Sequence, residues 1–99
     1  MKKQIIIGLV LVGLVASGSA LAFKGEQYSK EAKVSLTEAK AIASKAFPGK
    51  ITDVELEKEA GGSGLRYSFD IQRGTVTHEV GVDAVTGKVL ENSIDNGKD

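Results

Sequence analysis

The sequence predicts an α+β fold: one helix packed on a three- to four-stranded antiparallel sheet, an α-β-β-β meander with a short added strand, preceded by a signal peptide. Three observations predict it. A single helical period occupies residues 36–47. Three runs of period two follow, at 51–59, 65–73 and 75–83. Short, glycine-bearing links join them, which makes neighbours hairpins rather than crossovers. Such a sheet has one apolar face, and the helix is the element available to cover it.

The chain of 99 residues opens on MKKQIIIGLVLVGLVASGSALA. Lys2 and Lys3 supply a positive start, residues 5–16 an uncharged apolar run, and Ala20-Leu21-Ala22 small residues at the two positions a signal peptidase reads. This is the layout of a secretory signal peptide over 1–22, cleaved after Ala22, and it places the mature chain in the periplasm or outside the cell. An uncleaved anchor is the competing reading, since 4–23 is just long enough to span a bilayer. Loss of Lys2 and Lys3 leaves 11 Lys+Arg of the original 13 against 13 Asp+Glu, a net charge of about −2 with histidine neutral. No basic patch of the kind nucleic acid requires stands out. Cysteine is absent, so the exported domain must fold on its core without disulfides.

Residues 23–34 (FKGEQYSKEAKV) are polar and aperiodic. They read as a flexible leader with Tyr28 exposed. Ser35-Leu36-Thr37-Glu38 is then a capping box, in which the serine oxygen accepts a first-turn N–H and Glu38 reaches back to the Ser35 amide. Leu36, Ala39, Ile42, Ala43, Ala46 and Phe47 recur at helical spacing, with Lys40, Ala41, Ser44 and Lys45 outside. Pro48-Gly49 ends the helix. Its alanine-rich stripe suits a close approach to a sheet.

In ITDVELEKE, Val54 and Leu56 face inward, and Asp53, Glu55, Glu57 and Glu59 share the other face. Residues 60–64 (AGGSG) are a connection. In LRYSFDIQR, Leu65, Tyr67, Phe69 and Ile71 alternate with Arg66, Ser68, Asp70 and Gln72. After Gly74, Val76, His78, Val80 and Val82 share the covered face, opposite Thr77, Glu79, Gly81 and Asp83. DAVTGKVL, residues 83–90, reads as a hairpin. Asp83 and Thr86 bond turn amides, Gly87 takes a left-handed conformation, Lys88 points to water and Val89-Leu90 begin the last strand. Residues 93–99 read as a flexible tail, which leaves 35–92 as the folded domain.

Candidate sites are few. His78 is the only histidine, and alternation buries it among valines, so it is expected to be partly buried and hydrogen-bonded rather than a catalytic base or zinc ligand. A pH-sensing role is the functional alternative. The stripe Asp53, Glu55, Glu57, Glu59 could face calcium or a cationic partner. Carboxylates on one strand stand about 6–7 Å apart, however, and do not converge. A solvated face that guards an edge strand is the simpler reading. Gly61-Gly62-Ser63-Gly64 lacks the lysine and the helix of a phosphate loop. No catalytic, cofactor-binding or metal-ligating residue is assigned.

The segments SLTEAKAIASKAFPGKITDVELEKE, RYSFDIQRG and HEVGVDAVTGKVLE, in this order over about 35–91, resemble the PepSY domain family. The resemblance implies a domain of the kind found in propeptides of secreted metallopeptidases and in exported proteins. It implies inhibition or regulation of peptidases by protein contact, without catalysis or a cofactor. The expected function is therefore a non-enzymatic exported binding domain with a protein partner. The alternatives are an assembly domain acting by homodimerisation and an ion or ligand sensor.

Overall fold

A computed structural model describes residues 23–95. The expected signal peptide and the last four residues of the expected tail lie outside the described residues. The elements are a 3-10 turn Glu26–Glu31, helix α1 (Leu36–Ala46), and strands β1 (Lys50–Lys58), β2 (Leu65–Arg73), β3 (Val76–Asp83) and β4 (Val89–Ile94). The strands form one antiparallel sheet in the order β1-β2-β3-β4. The helix packs on one side of it, as expected, and the fourth strand is longer than its two-residue start in the sequence reading.

The capping box forms as written. Glu38 N donates to Ser35 Oγ at 3.1 Å and Ser35 N to Glu38 Oε1 at 3.0 Å. Ala39 and Ala43 are fully buried, which lets α1 lie close over Phe69, Val80 and Val82. The inner face of the sheet adds Leu56, Leu65, Tyr67 and Ile71 to this core.

Ile51 reaches that inner face through an irregularity. Strict alternation groups it with Asp53. Thr52 is an extra residue in the ladder, so Ile51 pairs with Ile71 while Asp53 pairs with Asp70. A bulge of this kind changes which side the neighbouring side chain takes.

Residues 23–34 differ from the expected flexible leader. Lys24 makes a parallel bridge to Glu55, with Leu56 N donating to Lys24 O at 2.9 Å. Phe23, Tyr28, Ala32 and Val34 pack against the core, so Tyr28 is half-buried rather than exposed. α1 contacts β2, β3 and β4, while the 3-10 turn contacts β1. The leader thus extends the covering layer past the helix. Three further bonds hold it: Lys33 and Val34 amides both donate to Ala84 O at 2.9 Å, and Tyr67 Oη donates to Val34 O at 2.8 Å. At the other end, Ser93 and Ile94 of the expected tail belong to β4.

Candidate protein-interaction surface

Among the described residues one face of the sheet has no layer over it, and carboxylates line it. Asp53, Glu55 and Glu57 come from β1, Asp70 from β2, Glu79 from β3 and Glu91 from β4. Alternation puts them together because β1 to β4 are in register: Asp53 opposes Asp70, Asp70 opposes Glu79, and Gly81 opposes Glu91. A cleft of about 330 Å³ runs across this face between Asp53, Glu59, Ser68 and Glu79. The acidic stripe of β1 is therefore one row of a wider patch. Its members do not converge along the strand, but Asp70, Glu79 and Asp95 converge across strands, with carboxylate oxygens within 4.8 Å of one another. Sequence reasoning missed this trio because it depends on register between strands. Its only sequence signal was the matching parity of Asp70 and Glu79 in neighbouring strands, since Asp95 lies past the end of β4.

The electrostatics follow from the crowding. Partial burial, then repulsion from Glu91, Asp70 and Asp95, pushes the Glu79 carboxyl up to about 6. Glu59 is raised by its hydrogen bond with Glu57, partly offset by Arg66. Hydroxyls relieve some of the charge: Ser68 Oγ donates to Glu57 Oε2 at 2.7 Å and Ser93 Oγ to Glu91 Oε2 at 3.0 Å.

At one end of the face lies the cation Arg66, only 8% exposed. It was expected on the open side, and it is there, but roofed by the 60–64 loop. Its Nη1 reaches Glu91 Oε1 at 3.4 Å, its Nη2 donates to Ala60 O at 3.3 Å, and its Nε is buried without a partner. Gly81 makes this possible, since a Cβ there would stand 3.2 Å from Nη1.

Alternation sets Asp83 on the face opposite the covered one, yet it is only 1% exposed. Its Oδ1 accepts from Val85 N at 2.8 Å and Thr86 N at 3.0 Å, the turn bonds foreseen in the sequence. It also accepts from Ser63, through Oγ at 2.8 Å and N at 2.7 Å, which sequence did not reveal. Burial opposes its charge. The donated hydrogen bonds from Ser63, Val85 and Thr86 outweigh that and hold the carboxyl well below the usual range. Gly87 has φ 82°, and Lys88 is exposed. DAVTGKVL spends its polar groups on the fold.

His78 lies on the inner side, away from the carboxylates. Its ring stacks on Phe47 at 3.7 Å between centroids, and Nδ1 hydrogen-bonds Asn92 Oδ1 at 2.7 Å. Arg73 sits over the same Phe47 ring at 4.6 Å. The histidine is partly buried and hydrogen-bonded, as its alternation implied.

The fold and surface define a class: a small α+β domain with one helix-covered sheet face and one open, acidic face. The family model described as "PepSY: Peptidase propeptide and YPEB domain" matches residues 33–92. The chain belongs to the PepSY family. Curated proteins give no match, and neither do solved structures. The folded unit is longer than the matched stretch, because Phe23, Tyr28 and Ala32 also pack against the core.

Proposed function

We propose that the protein is an exported, non-catalytic binding domain that regulates a peptidase through protein–protein contact. Family membership carries this reading, since the family is defined in part by peptidase propeptides. The open sheet face and the β4 edge beside it support it, because they leave carboxylate and backbone groups available to a partner. The domain acts in the periplasm or outside the cell. Among the described residues no helix is long and apolar enough to cross a membrane.

Titration of secreted metallopeptidases with the purified protein tests the proposal. The expected outcome is saturable inhibition, with binding seen by calorimetry at the same stoichiometry. Full peptidase activity at high micromolar protein, with no binding heat, sinks the regulatory reading.

A further inference from the structure

The two edges of the sheet are built differently. β1 is the protected edge. The leader covers it from Leu56 onward, where Lys24 O takes the outward amide. The 3-10 turn is tied to the same strand by the Lys58–Glu31 ion pair at 3.1 Å and by Lys58 Nζ, 5.0 Å from the Tyr28 ring centre. Thr52 bulges the other half, with its Oγ1 donating inward to Asp70 O at 3.3 Å. Lys50 and Lys58 stand at its ends. A covering segment, a bulge and terminal lysines are the devices that keep an edge from pairing.

Over Glu91–Ile94, β4 carries none of these among the described residues. VLENSI has neither lysine nor proline, and its own irregularity lies earlier, where Leu90 is the extra residue. Asp95 N donates to Thr77 O at 2.8 Å, so in the antiparallel ladder Glu91, Ser93 and Asp95 turn their backbone groups toward β3. Asn92 and Ile94 turn theirs outward. Ile94 is 68% exposed and Val89 39%. A free edge with apolar side chains is a template for another strand.

Side-chain chemistry selects the occupant. On the helix side, an added strand meets Ile94 and its diagonal neighbour Val76, which is also exposed. On the open side it meets Glu91 and Asp95, with Glu79 behind them. A second copy pairing β4 to β4 would set these carboxylates beside their own counterparts, and like charges across strands are destabilising.

We propose that the Glu91–Ile94 edge of β4 receives an extended segment of a partner protein whose side chains alternate basic and apolar. Basic residues lie over Glu91 and Asp95, and apolar ones over Ile94 and Val76. The Asn92 and Ile94 backbone groups supply the pairing, and the alternation supplies selectivity. The inference rests on the binding-domain reading above and adds the edge and the chemistry of the segment.

Short blocked peptides of alternating Lys and Val, and of alternating Glu and Val, test it on the isotope-labelled protein by amide hydrogen exchange. The Lys-Val peptide is expected to slow exchange at Asn92 and Ile94 by about tenfold or more, and the Glu-Val peptide to leave both unchanged. Ile94→Pro removes an outward N–H but no ladder bond, and abolishes the protection. Val54→Pro, which removes the corresponding outward N–H of β1, preserves it. Circular dichroism checks that both variants fold. Protection at Thr52 and Val54 instead, equal protection by both peptides, or none at either edge overturns the assignment. So does protection of Asn92 and Ile94 that rises with protein concentration alone, which gives the edge to a second copy. Peptidase inhibition is read in a separate assay, so either proposal can fail while the other stands.

Discussion

Asp83 shows how one residue can join distant parts of the chain. Its two oxygens accept four hydrogen bonds, two from its own turn and two from Ser63, twenty positions earlier. Ala84, next to it, accepts from Lys33 and Val34 and donates to Leu65 O at 2.8 Å. The leader, the 60–64 loop and the β3–β4 hairpin therefore meet at one point. Asp83→Asn keeps the size but turns one acceptor into a donor facing an N–H. A buried group left in that state costs about 1–3 kcal/mol, which urea unfolding near neutral pH should reveal. The folded carboxyl titrates below its ordinary 3.8. Its contribution is therefore present above that value and lost as pH falls below it. The gap between wild type and Asp83→Asn should close in acid. Half of this site was legible in the sequence. The bonds to Val85 and Thr86 follow from local turn chemistry, whereas the Ser63 pair depends on a loop folding back, and AGGSG carries no periodicity to announce it.

At the scale of elements, regular segments were legible and the leader was not. The capping box, the alanine stripe and the alternation of β2 each depend on spacing within one segment. The leader has no such period. It is fixed by single contacts: Phe23 and Tyr28 against the core, and Gly25 against β1. Gly25 has φ 88°, and a Cβ there would collide with the Leu56 carbonyl. Both the backbone conformation and the close approach demand glycine. Gly25→Ala should therefore lift the leader from β1 while α1 and the sheet stay folded. Amide exchange at Leu56, now protected by Lys24 O, should accelerate toward that of an open edge, and global stability should fall by about 1 kcal/mol or more. Unchanged Leu56 exchange would show that the close approach at Gly25 is not what holds the leader on β1. The Thr52 bulge hid the placement of Ile51 for the same reason, since a one-residue insertion breaks period two without changing composition.

For the whole molecule, the near balance of charge in the sequence hides an uneven distribution. Carboxylates gather on the open face of the sheet, and its clearest cation, Arg66, is roofed over at one end. Partial burial, and then repulsion from the neighbouring carboxylates, pushes Glu79 up to about 6 from an ordinary 4.5. The sign of the effect on stability is set by linkage. A carboxyl that binds its proton more tightly when folded contributes stability below its unfolded pKa, and that contribution is lost as pH rises through the folded value. The protein should therefore become less stable between about pH 4.5 and 6 on account of this group. Glu79→Gln removes both the burial cost of the charge and the repulsion from Glu91, Asp70 and Asp95. Because the site is partly open to solvent, the gain should be on the order of 1 kcal/mol at pH 7.5 and near zero at pH 4. Thermal unfolding of both proteins across that range checks the profile. Added salt should shrink the difference, since it screens the repulsion but not the burial. A basic partner should shrink it too, by supplying the opposite charge. An offset between wild type and Glu79→Gln that is the same at every pH would mean that Glu79 acts through packing, and that the open face carries no electrostatic strain for a partner to relieve.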